Sequence, residues 1–270
     1  MVRERQSWSC LTLNPQPSAI NLFRTGLLGF DIGLYDAVPL SQRDDLRMAL
    51  ADDKLSQCSR NERLRLFGVP LLLLAASAVS LSIDISVATF FKQGRSPKEI
   101  AELFENVEPF GHGVGVCVVI AAVVLLDPEK RSRIGWLVGG SLGAGALASA
   151  AKLFLARSRP RAFDLSDGTV WQTFGGWLPS QSTTSIQSFP SAHTATAVGL
   201  ALVLATWYPR GRWLFAMLAV LVGMQRMHCS AHFPSDVFAG AAVGWFVASC
   251  CVMGDRRWSA SVAHANTGSG

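Results

Sequence analysis

Charge is what this sequence has least of. Asp, Glu, Lys and Arg make up 16% of its 270 residues, against about 25% in an ordinary soluble domain. Half of the residues are hydrophobic, and apolar runs fill most of 67–253 while the charges bunch between them. So few charged groups exclude a typical water-solvated globule and point to a chain solvated largely by lipid. No cleavable signal peptide is expected either, because residues 1–19 mix charge and polarity without an apolar core. No internal repeat is evident. The six cysteines form no disulfide framework: Cys117, Cys250 and Cys251 lie in apolar runs, Cys10 and Cys58 in the N-terminal tail, and Cys229 stands alone near a polar cluster. The net charge of +5 invites a nucleic-acid reading, yet the basic residues sit at the ends of apolar runs, where membrane topology places them. No nucleic-acid partner is expected.

What is present reads as an all-α, polytopic membrane protein. At about 20 apolar residues per span, six transmembrane helices are expected, at 67–91, 108–126, 134–155, 193–208, 212–228 and 236–253. The fourth and fifth are short. The third carries Gly139 and Gly143 four apart, and Ser141, Gly145 and Ser149 at the same spacing, which permits close helix packing. Asp84, late in the first span, is expected near the outer interface. Residues 1–66 read as a cytosolic tail with a surface helix at 46–65, and 254–270 as a disordered tail. Lys and Arg gather before span one (Arg60, Arg63, Arg65), between two and three (Lys130, Arg131, Arg133), between four and five (Arg210, Arg212) and after six (Arg256, Arg257). The positive-inside rule makes these segments and both termini cytoplasmic. The basic segment 156–192 then lies outside, an exception that gives its arginines another task.

Alternation of spans brings three polar clusters to that outer face. The first holds Lys152, Arg157, Arg159 and Arg161. Lys152 and Arg159 are seven residues apart, roughly two helical turns, so one helix face can carry both until Pro160 ends it. Fixed cations suit a phosphate, Arg as a planar fork and Lys as a point charge; alone, they also suit lipid headgroups. The second cluster is Pro190-Ser191-Ala192-His193. Ser191 and Ala192 stand at a helix N-terminus, whose free N–H groups attract an anion. The third holds Arg226, His228, His232 and Asp236. His232 and Asp236 are four apart, one helical face, where the carboxylate can hold one ring nitrogen and free the other. His228, His232 and Asp236 also have zinc-like spacing, but Pro234 interrupts the helix and nearby cations repel a dication. No metal and no cofactor is expected; His228 packs or tunes, and His112 is interfacial.

The stretch from Lys152 to Pro160 resembles the first signature of the type 2 phosphatidic acid phosphatase (PAP2) superfamily: Lys, six residues, Arg-Pro. Pro190–His193 resembles the second, Pro-Ser-Gly-His, with Ala192 for Gly, and Arg226–Asp236 the third, Arg, five residues, His, three residues, Asp. Gln225 replaces a frequent Ser. The resemblance implies a PAP2-like helical bundle and a lipid phosphatase cleaving a phosphomonoester or pyrophosphate without metal. It implies that His232 attacks phosphorus to form a phosphohistidine, that Asp236 orients it, and that His193 protonates the leaving oxygen and then activates water. It further implies that Lys152, Arg159, Arg226, Ser191 and the backbone at Ala192 hold the phosphoryl oxygens. Implied partners are a lipid phosphate and the bilayer. Alternatives are a lipid phosphotransferase with the same residues and a catalytically inactive lipid-binding relative. The loop 161–189, with Phe163, Trp171, Phe174, Trp177 and Phe189, is expected to cover the site and admit an amphiphile from the bilayer.

Overall fold

The computed structural model describes residues 62–94, 97–178 and 183–267. Residues 1–61, with Cys10, Cys58 and most of the helix expected at 46–65, lie outside them, as do residues 95–96, 179–182 and 268–270. The chain divides into two units, 65–258 and 1–64 with 259–270, and the elements below concern the first.

Each of the first two apolar passes is bent. A π-turn at Leu64–Gly68 enters α1 (Val69–Ser80), and α2 (Asp84–Lys92) turns away by 72°. Pro70, which has no N–H to donate, falls where the π-turn gives way to α1, and the Arg65 carbonyl one turn back accepts from Trp245 Nε1 at 2.8 Å. The second pass joins α3 (Lys98–Val107), a 3₁₀ turn Glu108–Gly111 and α4 (Gly113–Leu126), with a bend of 64° at His112. His112 caps α4, its Nδ1 accepting from the Val114 N–H at 3.4 Å.

The third pass is a continuous helical stretch, Pro128–Ala151. It contains α5 (Ile134–Val138), a π-turn Gly139–Gly143 and α6 (Ala144–Ala151). The π-turn changes which glycines face inward. A Cβ on Gly140 would meet Val203 Cγ2 at 2.6 Å and one on Gly145 would meet Thr196 Oγ1 at 2.1 Å, whereas Gly143 faces open space. Of the expected small residues, Gly145 and Ser141 face inward and a Cβ on Gly139 would meet Cys251 Sγ at 3.2 Å, whereas Gly143 and Ser149 do not pack, and Gly140 joins the stripe instead.

Gly140 and Gly145 pack against α7 (Ala192–Trp207), the central helix. Thr194 to Ala197, Gly199 to Ala201, Val203 and Leu204 are buried, so α7 is covered on every side. Its small residues let neighbours approach its backbone: a Cβ on Gly244 would lie 2.4 Å from Ala195 O. α8 (Arg212–His228) and α9 (Pro234–Thr267) complete the set. Val116, Leu137, Leu200, Val203 and Ala248 form a core joining α4, α5, α7 and α9. One end of this core is locked by polar groups. Arg133 donates from two nitrogens to Asp255, Trp207 Nε1 donates to Asp255 at 3.0 Å, and Tyr208 donates to Asp127 at 2.9 Å.

Leu71, Leu72, Val118, Leu126, Trp213 and Val220 are exposed, as lipid-facing residues are. The chain is a multi-pass helical membrane protein. By length and composition, Pro128–Ala151 and Pro234–Ser259 are long and apolar enough to span, and up to four spans result if each bent pair counts as one. α7 and α8, with 16 and 17 residues, are shorter than a full span, which needs about 20. The expected disordered tail from 254 is instead helix, since α9 continues to Thr267.

Candidate active site

The helix expected to carry both Lys152 and Arg159 stops at Ala151. Lys152 is its C-cap, and the chain then extends into β1 (Leu155–Arg157), antiparallel to β2 (Phe174–Trp177). The two cations therefore share no helix face. The cause is pairing at long range: Leu155 faces Trp177, Ala156 faces Gly176 and Arg157 faces Phe174. This hairpin and three 3₁₀ turns, Pro160–Ala162, Val170–Thr173 and Thr184–Ile186, give structure to the expected loop. Trp171 and Trp177, at 69% and 78% exposure, project outward from it.

β1 turns Arg157 fully inward. Its guanidinium reaches Asp84 Oδ2 at 2.5 Å, Ser235 Oγ at 2.7 Å and Thr173 Oγ1 at 3.2 Å, and donates to Asp236 Oδ1. The rings of Phe174 and Phe233 lie 4.5 Å from it. Asp84, at the bend between α1 and α2, is fully buried against these site residues, and it also accepts from the Ser235 N–H at 3.0 Å. A buried cation is tolerated when all its donors are used and a counter-charge is present.

Asp236 stands in the first turn of α9, which opens at Pro234, so His232 precedes the helix and does not share its face. Asp236 Oδ2 accepts from the Phe233 N–H at 2.9 Å and from Ser188 Oγ at 2.6 Å, and lies 3.6 Å from His232 Nδ1. The backbone N–H of His232 is held by Arg226 O at 3.2 Å. With Nδ1 directed at the carboxylate, Nε2 is the free nitrogen. Burial pushes the imidazole down to about 4, with Asp236 opposing that shift.

The cations gather around this pair. Lys152 is buried, and burial together with Arg159 lowers its ammonium to about 8. Arg159, held by its N–H on Ser185 O at 2.9 Å, is lowered by burial and then by Arg161 and Arg226. The Nε atoms of both Arg159 and Arg226 are buried without a hydrogen-bond partner. Arg226 lies 3.2 Å from Glu108 through Nη1 and 3.1 Å from Cys229 Sγ through Nη2. Ser191 is the N-cap of α7, accepting from the N–H and O–H of Thr194 at 3.4 and 2.9 Å. Ala192 is the first residue of that helix, so its methyl group meets no backbone constraint. His193, one residue on, lies against His112 with ring centroids 5.6 Å apart and the rings tilted by 45°, and its Nε2 lies 3.9 Å from Glu108. It is in electrostatic range of Arg226, His232 and Lys152. His228 packs against Phe91 and Phe104, with centroids 5.9 and 5.2 Å away, so it does not join His232 and Asp236 on one helix.

The three clusters thus meet at one end of the bundle, opposite the Arg133–Asp255 lock. The PAP2 superfamily model matches residues 133–258, which hold all of them. A lipid A 1-phosphatase of Rhizobium etli is 31% identical over 192 residues, covering 65% of this chain and 80% of that protein. The chain belongs to the PAP2 superfamily. A second lipid A 1-phosphatase, from Rhizobium johnstonii, is 35% identical over 106 residues, 38% of this chain and 40% of that one. Among solved structures, Aquifex aeolicus LpxE superposes with a TM-score of 0.50 at 22% identity, over 63% of this chain and 95% of that one. It shares the fold.

Two members of the site, Ser188 and Glu108, are not singled out by the sequence, and Asp84 is legible there without a role in the site. Ser188 was one hydroxyl in a polar run, Glu108 one acid in an acidic segment, and Asp84 a carboxylate in an apolar run. Only Asp84 carried a signal, since a charge within a span is costly unless paired.

Proposed function

We propose that this protein is an integral-membrane lipid phosphatase that hydrolyses a phosphate ester through a phosphohistidine at His232. The observation that carries the reading is the His232–Asp236 pair, 3.6 Å apart, with Nε2 free and Lys152, Arg159 and Arg226 around it. The low imidazole pKa favours the neutral ring that a nucleophile needs. Nε2 attacks phosphorus, an N–P bond forms and the P–O ester bond breaks. His193 gives its proton to the leaving oxygen. It then takes one from water, whose oxygen attacks phosphorus, breaks the N–P bond and frees phosphate and His232. Lys152, Arg159, Arg226, Ser191 and the N–H groups around Ala192 hold the phosphoryl oxygens, and the unpartnered Nε atoms fit that role. The names of the Rhizobium relatives make lipid A 1-phosphate the first substrate to try.

The same reading takes each helical pass as one of six spans, with both termini cytoplasmic and the site on the outer face. The Lys and Arg count supports it, and so does the separation of the site from the Lys130–Arg133 end. A reporter fused after Gly270 then reads cytoplasmic; an outside signal overturns the orientation. For the chemistry, rapid acid-free quenching of a single turnover with ³²P-labelled substrate gives a base-stable, acid-labile label on wild type and none on His232→Ala. A label of equal size on both contradicts the nucleophile. Product analysis with added acceptor lipids separates hydrolysis from phosphotransfer.

A further inference from the structure

Beside the phosphate-holding groups lies an open cleft of about 670 Å³, lined by Glu105, Glu108, Phe110, His112, Val114 and Val118, among others. None of Lys152, Arg159 and Arg226 lines it. Its inner end is fixed by Glu108, 3.9 Å from His193 Nε2 and 3.2 Å from Arg226 Nη1, and by His112, whose ring centroid is 5.6 Å from that of His193. Its outer end is the lipid-facing side of α4, where Val114 and Val118 are 68% and 64% exposed. His193 does not itself line the cleft; Glu108 and His112 connect it to that proposed proton donor, and Val114 and Val118 open it to the side where acyl chains lie. The part of a substrate that fits this path is the group that leaves.

The chemistry of the inner end narrows that group. An ionised carboxylate accepts hydrogen bonds and donates none. Gln225 Nε2, 3.4 Å from Glu108 Oε2, supports one oxygen, and the Gln225 Oε1 behind it is a buried acceptor with no donor. Glu105 adds a second carboxylate to the lining. Two carboxylates in the lining match hydroxyl or amide N–H groups. They repel a leaving group that is itself an anion, as in a diphosphate, where the departing group is a phosphate. We propose that this cleft is the leaving-group subsite and that Glu108 selects a phosphomonoester of a neutral, hydroxyl- or amide-bearing lipid head over a lipid diphosphate. The proposal rests on the phosphatase reading above.

The test compares kcat/KM of purified protein in detergent for two substrates, a phosphomonoester on a sugar- or glycerol-based lipid head and an isoprenoid diphosphate. Wild type favours the monoester, and Glu108→Gln shrinks that preference at least tenfold. The ratio is taken within each variant, so a loss of folded protein cancels. Val118→Trp is the second arm: it raises KM for a long-chain monoester at least fivefold more than for a short-chain one. The subsite is overturned if Glu108→Gln lowers both substrates by one factor, the result for a residue acting only through Arg226 or His193, or if Val118→Trp ignores chain length. If wild type releases phosphate from no lipid, the phosphatase reading falls and the subsite with it, an outcome distinct from a lost preference.

Discussion

Arg157 and Asp84, 73 positions apart, meet with no access to solvent, Nη2 standing 2.5 Å from Oδ2. The same guanidinium donates to Asp236, the carboxylate beside His232. One buried cation thus ties the second half of the first bent pass to the catalytic pair proposed at the start of α9. It also leaves Asp236 Oδ2 to Ser188, Phe233 N–H and His232.

Removing one partner of a buried pair leaves an uncompensated charge, which costs about 3–5 kcal/mol. Asp84→Ala is therefore predicted to lower stability by that amount, measured as thermal or denaturant unfolding in detergent micelles. An unchanged midpoint contradicts the role assigned to the pair.

Ser188 Oγ donates to Asp236 at 2.6 Å, while its backbone N–H is held by Arg157 O at 3.0 Å. A hydrogen bond to a charged group is worth roughly 1.5–3 kcal/mol, and each 1.36 kcal/mol is about tenfold in rate. Ser188→Ala is predicted to lower kcat about 10- to 100-fold with KM nearly constant. A rise in KM at constant kcat places Ser188 on the substrate instead.

The three motif clusters were legible in the sequence, because each needs particular side chains at fixed spacing: Lys152 with Arg159-Pro160, Ser191 with His193, Arg226 with His232 and Asp236. Their meeting at one end followed from alternating passes. What held them there was not legible. The Arg157–Asp84 contact and the Leu155–Trp177 pairing join residues far apart in the chain, and no local pattern encodes either. The helix expected through Lys152 to Arg159 failed for that reason, since strand pairing outweighed local propensity. The bends at 81–83 and at His112, and the π-turn at Gly139–Gly143, are register changes within apolar runs whose composition hardly varies.

The site has a pH signature. A lysine lowered to about 8 is charged below that pH and neutral above it. In the proposed mechanism its ammonium holds phosphate, so kcat/KM is predicted to fall above about pH 8, approaching tenfold per pH unit. Arginine stays protonated throughout, so Lys152→Arg removes this alkaline limb even if its activity is lower. His232, lowered to about 4, stays neutral down to that pH and adds no acid limb above it. Persistence of the same alkaline limb in Lys152→Arg assigns it to another group.

Trp171 and Trp177 stand on the hairpin side of the site and are among its most exposed aromatic groups. Aromatic rings of this kind settle at the headgroup level of a bilayer. The double variant Trp171→Ala/Trp177→Ala is predicted to slow turnover of a long-chain lipid phosphate in vesicles several-fold more than that of a short, water-soluble phosphomonoester. Unchanged turnover of every lipid removes the hairpin from substrate entry.

The most direct measurement is phosphate release by purified protein in detergent, with EDTA present, over a panel of lipid phosphates that includes lipid A 1-phosphate, beside His232→Ala. The account predicts release by wild type in EDTA and a loss of roughly 10³-fold or more in the variant, the scale for removing a covalent nucleophile. Equal release by both proteins, or release by wild type only when EDTA is withdrawn, contradicts it.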